Sequence, residues 1–351
     1  MNESFNVSQK RVAVVGTGYF CQFHLDGWRN VKNTQVVALC DNDIAKAQTL
    51  AKQYGITQTF SNAAEMLDAV KPDLVDIVVP PAAQDPLIRA CIERQTATIC
   101  QKPFSTGLAQ ATELAQLAEQ SKVPLIIHEN FRFMPWYREA RQLINSNALG
   151  DLHGVSFRLR PGDGQGPTAY LDRQPYFQTM PRLLVVETAI HFIDTFRYLM
   201  GEVTHVYARL RKINPVIKGE DAGLIIFEFA SGAQGLFDGN RLNDHSASNP
   251  RRTMGEMWLE GSKGVLRLDG DAQLWFKPHH EKEVRHIYAS GDLSTFGGGA
   301  CAALQQSAIT AITHHTEPEN SATAYLRNVK IQEAIYTSHA QGQRVAIDSL
   351  D

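Results

Sequence analysis

The sequence predicts an α/β protein in two parts. The first is a doubly wound parallel sheet with helices on both faces, and the second is an α+β domain built on a large, mostly antiparallel open sheet. Three observations predict this. The first 130 or so residues alternate short, nearly all-apolar runs with helix-spaced segments, as parallel strands covered on both faces do. A glycine-bearing turn follows the first of those runs directly. From Asn130 onward the strand-like segments succeed one another through tight turns and show period-two character.

Taken in order, "RVAVVG" (Arg11 to Gly16) reads as a buried strand, and a helical segment follows it to about Asn30. "QVVALCD" (Gln35 to Asp41) is the second strand. "IAKAQTLAKQYG" (Ile44 to Gly55) has helical spacing and ends on a glycine suited to a C-cap. "AAEMLDAV" is a short helix, "LVDIVVP" (Leu74 to Pro80) a strand, and Pro81 to Gln95 a helix. "TATICQ" is the next strand, "LAQATELAQLAEQ" a helix, and "PLIIHE" closes the series. The pattern then changes. A helix over 135–147 precedes the strand "GVSFRLR", and another helix runs from about Glu187 to Met200. "HVYARLRKI", "AGLIIFEFASGAQGLFDG" and "EMWLEGSKGVLRLDG" supply strands, with hairpin connections expected in "EFASGAQ" and "EGSKGVL". A helix over about 322–340 completes the domain. The division is expected once, giving 1–129 and 130–351, with no flexible linker between.

Composition removes several function classes. Of the 351 residues, 43% are hydrophobic and 20% charged, with a formal net charge of −3, so the chain can bury substantial cores and shows no basic stripe for nucleic acid. No apolar run approaches the roughly 20 residues of a membrane helix. The start, "MNESFNVSQK", is polar and reads as a frayed extension rather than a leader. Five irregularly spaced cysteines without a CxxC argue against a disulfide scaffold or structural zinc, and suit buried thiols in a cytoplasmic protein. The pairs His279–His280 and His314–His315 lack carboxylate or cysteine partners at ligand spacing, so no metal site is expected. "FGGGA" (Phe296 to Ala300) precedes a helix without following a buried strand, and reads as a mobile loop rather than a phosphate cradle.

"VVGTGYFCQFH" places Gly16-Thr17-Gly18 between strand and helix. Gly16 permits the tight turn, Gly18 lets a pyrophosphate approach the backbone, and the helix beginning at Tyr19 and Phe20 offers unpaired N–H groups to phosphate. Cys21 stands where a third glycine is usual; alone, the turn reads better as a glycine-rich bend without a ligand. Asp41 ends the second strand a little over 20 residues on, in position to accept the adenosine ribose hydroxyls. With Asp41 present and Asn42 and Asp43 rather than arginine beside it, NAD is expected in preference to NADP.

Taken together, these features resemble the glucose-fructose oxidoreductase / inositol dehydrogenase (Gfo/Idh/MocA) family. The resemblance rests on the glycine turn, "VVPPAAQ" (Val78 to Gln84), "QKP" (Gln101 to Pro103), "RFMP" (Arg132 to Pro135) and "ETAIHFIDTFRYLMG" (Glu187 to Gly201), in the family's order and across nearly the whole chain. It implies a Rossmann domain for NAD, with Gly16, Gly18, Tyr19, Phe20, Asp41, Pro80, Gln101, Lys102 and Asn130 as cofactor-binding residues. It implies a second domain for substrate binding and oligomerisation. Three positions depart from the family pattern: Cys21 for the third glycine, Gln101 for the usual glutamate, and Glu187 for the usual aspartate.

The resemblance further implies that Lys102 faces the reacting carbon, with His191 and Glu187 as its catalytic companions. Without it, Lys102 is as readily a lysine reaching solvent from a strand end, and His191 a core histidine satisfied by the carboxylate four residues before it. Asp194, three residues after His191, is placed to orient the same face or cap a neighbouring backbone group. In the expected reaction His191 takes the proton of a substrate hydroxyl, Lys102 stabilises the alkoxide, and Glu187 positions substrate or histidine. Arg132, Tyr176 and Arg182 complete the candidate substrate residues, though Tyr176 and Arg182 suit a subunit interface equally. The stretch from "RPGDGQGP" to "YLMGE" is similar to the branched-pentose branch of the family. That similarity implies oxidation of an aldose at C1, with D-apiose the lead substrate, to its lactone. A cyclitol or other sugar-derivative dehydrogenase and a catalytically silent NAD- and sugar-sensing regulator are the alternatives. The expected partners are a small sugar and further copies of the chain, as a homodimer or homotetramer formed through the apolar strands of the second sheet.

Overall fold

Six parallel strands form the first sheet in the computed structural model, which describes residues 9–350. The polar start expected to be a frayed extension lies, apart from Gln9 and Lys10, outside the described residues. Strand β1 (Lys10–Val15) is followed by α1 (Cys21–Trp28), β2 (Thr34–Cys40), α2 (Ile44–Tyr54), β3 (Gln58–Phe60), α3 (Ala63–Val70), β4 (Leu74–Ile77), α4 (Gln84–Glu93), β5 (Ala97–Gln101), α5 (Leu108–Ser121) and β6 (Leu125–His128). The spatial order is β3-β2-β1-β4-β5-β6. Val12 to Val15 of β1 and all of β4, β5 and β6 are buried, as a sheet covered on both faces requires. The α2 boundaries follow their cap chemistry: the Asp43 side chain accepts from the Lys46 N–H, and Gly55 closes the helix at φ 71°. The order reverses between β1 and β4, so the turns after their carboxyl ends define the crevice where such sheets bind ligands.

After α6 (Pro135–Asn145), β7 (Leu152–Leu159) and α7 (Ile190–Met200) come β8 (Val203–Arg211), β9 (Ala222–Phe229), β10 (Gln234–Asn240), β11 (Gly255–Gly261), β12 (Gly264–Leu268), β13 (Leu274–Pro278) and β14 (Val284–His286). The chain ends with α8 (Ala300–His314), α9 (Ala322–Gln341) and β15 (Val345–Ala346). The nine strands lie in the order β14-β13-β12-β11-β7-β10-β9-β8-β15. Every pairing is antiparallel except β7 with β10. The expected hairpins form: Gly232 turns β9 into β10 at φ 87°, and Ser262–Lys263 joins β11 to β12. One face of the sheet is packed on Phe157, Phe227 and Phe237, while Leu224, Ile226 and Leu236 of β9 and β10 are exposed on the other.

The chain divides into two compact units. One holds the described residues up to Asn130 together with Ala300–Arg327; the other holds Phe131–Gly299 and the described residues from Asn328 on. A single division at 129/130 does not anticipate the return of 300–327 to the first unit. Its physical basis is Gly27 of α1, where a Cβ would stand 2.4 Å from Gln305 Oε1 and 3.1 Å from the Ala302 nitrogen. A side chain at 27 would hold α8 away; glycine lets Cys301 and Leu304 pack there, both buried. The "FGGGA" stretch is a short helical turn with Gly297, Gly298 and Gly299 all at positive φ, leading into α8. Gly298 is buried, and a Cβ on it would meet the Ser290 carbonyl and Pro135, which is the packing of a fixed turn.

Candidate active site

The glycine turn joins β1 to α1. Gly16 has φ 96°, and a Cβ on it would stand 2.2 Å from the Val78 carbonyl oxygen, so the close approach of the two crevice turns admits only glycine. Gly18 has nothing within 4 Å of its Cβ position, an open cradle that a side chain would fill. The first turn of α1 carries no side-chain cap; the Cys21 and Phe23 N–H groups bond the Gly18 and Phe20 carbonyls at 3.0 and 3.1 Å, and the positive end of the helix faces the turn where phosphate would lie. Asp41, past β2, accepts from the Thr17 N–H at 2.8 Å and Thr17 Oγ1 at 2.7 Å through Oδ2, and from the Asp43 N–H at 2.9 Å through Oδ1. Partial burial works to raise its pKa, but the bonds from Asp43 and Thr17 win and hold the carboxyl below its ordinary range. An ionised carboxylate with about four acceptor positions keeps one for a ribose hydroxyl. Open cradle, uncapped helix and carboxylate suit a dinucleotide. Tyr19 is exposed, and Phe20 packs on Phe23 and His24. Cys21 is fully buried against the sheet, and burial, with Asp76 and Asp41 nearby, pushes its thiol far up, so it acts as a small packing residue.

Lys102 follows β5 and precedes a cis peptide bond to Pro103. The backbone around it is held by side-chain amides. Gln84, fully buried at the start of α4, donates Nε2 to the carbonyls of Gln101 (2.8 Å), Pro103 (3.1 Å) and Val79 (3.3 Å), and accepts the Ser105 N–H at 2.9 Å. One side chain thereby ties the Val79 turn to both flanks of Lys102. Gln101 turns inward: Oε1 accepts the Lys102 N–H at 2.8 Å and Nε2 lies 3.2 Å from His24 Nε2. Pro80 is exposed at the crevice turn, and Asn130 is buried with Nδ2 3.4 Å from Cys301 Sγ. The clamp by Gln84 and the buried partners His24 and Asp76 escape sequence reasoning. The only signal for Gln84 was its place at the end of "VVPPAAQ".

His191 begins the second turn region of a helix that does not start as an α-helix. Leu184–Ala189 forms a π-helical turn, closed by the Ile190 N–H on the Val185 carbonyl, and α7 continues from it. Glu187 therefore sits in a widened turn, and the plain α-helical spacing to His191 expected from the sequence is replaced by π geometry, of the kind frequent at functional sites. His191 is buried and stacks on Phe131 at 3.9 Å with ring planes 4° apart. Asp194 neither orients His191 nor caps backbone. It receives Arg132 in a two-bond fork, Nε to Oδ2 at 2.6 Å and Nη2 to Oδ1 at 2.5 Å, and Asn328 Nδ2 at 2.7 Å. Arg132 thus braces α7.

The connection from β7 to α7 packs Ala169, Tyr170, Phe177 and Leu183 with Ile217 of the β8–β9 loop in a small core. Buried Arg241 ties this loop down, with bonds to Tyr170 (2.8 Å), Asp163 (2.8 Å) and the Thr188 hydroxyl beside Glu187. Burial works to raise the Asp163 pKa, yet Arg241 and Arg173 hold it below the ordinary range. Tyr176 is half exposed on the loop, and its phenol is pushed up to about 12 by desolvation first and then by the charge of Glu187. Arg182 is engaged elsewhere: it pairs with Glu333 of α9 at 2.8 and 2.9 Å and lies over the Tyr336 ring. Among the described residues no group of three or more His, Cys, Asp or Glu is arranged to hold a metal ion. No helix among them is long and apolar enough to cross a membrane.

Comparison with known proteins finds matches in both halves of the chain. Residues 10–129 match the oxidoreductase family described as having an NAD-binding Rossmann fold, and residues 137–267 match the Gfo/Idh/MocA C-terminal domain. The chain is similar to the D-apiose dehydrogenase of Paraburkholderia graminis, at 30% identity over 98% of this chain and 92% of that protein. It is similar to the D-apiose dehydrogenase of Rhizobium rhizogenes, at 26% identity over 98% and 99%. In fold it resembles an oxidoreductase from Agrobacterium radiobacter solved in complex with NAD+, L-tartaric acid and magnesium, with a TM-score of 0.89 at 24% identity, covering 98% of this chain and all of that one. Matched in both halves and along almost its full length, this chain belongs to the Gfo/Idh/MocA family of oxidoreductases and binds NAD through its Rossmann unit.

Proposed function

We propose that the chain oxidises a sugar hydroxyl, an aldose C1 with D-apiose as the lead substrate, to the lactone. The observation that carries the reading is its similarity, over 98% of its length, to two proteins named D-apiose dehydrogenase. NAD, when bound, supplies the acceptor for the hydride. His191 removes the hydroxyl proton, general-base work for which imidazole is well suited near neutral pH. Lys102 balances the negative charge that develops on the substrate oxygen as the C–H bond breaks and the carbonyl forms. Glu187 and Tyr176 hold the sugar, and Arg132 acts behind them by bracing α7. Gly16, Gly18, Tyr19, Phe20, Asp41, Pro80 and Asn130 serve the dinucleotide. NADH formation across aldoses, including apiose, and cyclitols tests this, with Lys102→Ala and His191→Ala as controls. Turnover of apiose that falls by about 10²–10⁴-fold in the His191 variant, with NAD still bound, supports the assignment. Unchanged turnover in that variant removes His191 from the role of base.

A cyclitol substrate is the second reading, supported by similarity to the myo-inositol 2-dehydrogenase of Thermotoga maritima at 22% identity over 66% of this chain. The same panel decides between them, and NAD binding without any turnover would favour a sensor. The apolar row Leu224, Ile226 and Leu236 on the open sheet face supports pairing of copies through that sheet, as a homodimer or homotetramer. A monomer by light scattering refutes this. The five cysteines, all free and buried, suit a cytoplasmic setting.

A further inference from the structure

The most deeply buried polar cluster of the first unit is not explained by NAD binding. His24 of α1 and Asp76 of β4 are both fully buried. His24 Nδ1 lies 2.8 Å from Asp76 Oδ2, and Trp28 Nε1 donates to the same oxygen at 2.8 Å. On the opposite side His24 Nε2 lies 3.2 Å from Gln101 Nε2, whose amide oxygen accepts the Lys102 N–H.

The directions of these bonds follow from the partners that have no choice. A backbone N–H only donates, so the Gln101 atom facing Lys102 is the oxygen. The atom facing His24 is then the amide nitrogen, which also only donates. His24 Nε2 must accept, and an imidazole that accepts there carries its proton on Nδ1, where it donates to Asp76.

We infer that Gln101 is a positioning residue that locks buried His24 in its neutral, Nδ1-protonated form and ties that fixed geometry to the backbone of Lys102. The hold on Lys102 is thereby independent of pH where a free imidazole would change charge. The link to catalysis rests on the proposed role of Lys102; the state of His24 does not.

Asp76 on β4 is the acid that faces His24; its charge favours a second proton there, which the direction of the Gln101 amide opposes. His128 on β6 stacks on His24 at 3.9 Å, so a charged His24 would sit against a second imidazole. Cys21 on its own helix, Cys100 on β5 and Cys301 on α8 all feel Asp76. Burial first and that carboxyl second raise Cys21 and Cys100 far above the ordinary thiol value, and burial takes Cys301 to about 12. All three thiols stay neutral. A second proton on His24 would point from Nε2 into the hydrogens of the Gln101 amide. A glutamate at 101 reverses this: its ionised carboxylate has no hydrogen for Nε2, so the bond forms only when His24 is doubly protonated.

The test uses the full-length protein labelled with 15N-histidine, and reads the assigned His24 cross-peaks from about pH 5.5 to about 8.5, the span in which a free imidazole titrates. The native protein is expected to show a proton on Nδ1 alone, unchanged across the span. Titration of His24 within it, or a proton on Nε2, overturns the inference without any variant being needed. Gln101→Glu is expected to show both nitrogens protonated at the low end and to lose the Nε2 proton as pH rises. Its NADH formation, relative to native at each pH, should fall about tenfold or more over the same rise, a change of about 1.4 kcal/mol per factor of ten. Gln101→Met, which can make neither bond, should be slow at every pH. Gln101→Glu that tracks the native rate throughout breaks the link to Lys102. Full turnover by Lys102→Ala would instead sink the catalytic reading while leaving the spectra to judge the lock.

Discussion

Lys102 stands on a loop tied by neutral amides, whereas His191 stands on a helix braced by an ion pair. Gln84 and Gln101 hold the Lys102 segment through carbonyls and N–H groups that carry no net charge. In the second unit, Arg132 forks onto Asp194 below His191, and Arg241 with Arg173 grips Asp163 in the loop that leads to Glu187. The difference teaches where each unit is vulnerable. An amide clamp loses a few modest bonds when cut and ignores acid. A buried ion pair leaves an uncompensated charge when cut and depends on the carboxylate staying ionised.

The largest expected effect is therefore at Asp194. Asp194→Ala strands Arg132 in a site where the carboxylate is fully buried, and should cost about 3–5 kcal/mol in denaturant unfolding. A loss near that of a surface pair would erase the contrast. Gln84→Leu should cost less, about 1–3 kcal/mol, because it leaves neutral carbonyls unsatisfied. It should also lower turnover while NAD affinity stays close to native, and an unchanged rate would mean that the clamp does not position Lys102. Acid sharpens the comparison next. The folded Asp163 carboxyl lies below its unfolded value, so its stabilisation is full above the ordinary aspartate pKa of about 4 and is lost as pH falls through the folded value. Hydrogen exchange below about pH 4 should open the loop around Tyr170 before the Gln101–Ser105 segment, and the reverse order breaks the comparison. The smallest effect is at Arg182, whose pair with Glu333 is half exposed. Arg182→Ala should change stability by no more than about 1 kcal/mol, and a large loss of turnover with native stability would place this arginine at the substrate instead.

The elements that sequence could reveal are those whose signal is local. β1, β2, β4, β5 and β6 are apolar runs, α2 has Asp43 and Gly55 at its ends, and the two hairpins have their glycines. β3 is three residues of mixed exposure, too short to have a period. The π-helical turn at Leu184–Ala189 depends on one extra residue in a helical turn, which no spacing rule marks in advance. The assignment of α8 to the first unit depends on Gly27, more than 270 residues earlier in the chain. At the site, Gly16, Asp41, Lys102, Glu187 and His191 stand at motif positions. His24 and Asp76 were hidden, and Gln101 was visible only as a motif residue, because their bonds join residues 52 and 77 apart. Arg132 was visible as a motif residue, but Asp194, which fixes what it does, is 62 residues away.

The placement of α8 bears on the order of synthesis. The unit that carries the glycine turn opens the chain, yet it is not complete until Arg327 of 351 residues has been made. As the ribosome lengthens the chain, the Gly27 face of α1 waits uncovered while β7 to β14 of the second sheet are translated. An excised piece ending at Asn130 would keep every residue assigned to the nucleotide and still lack the helix that covers that face.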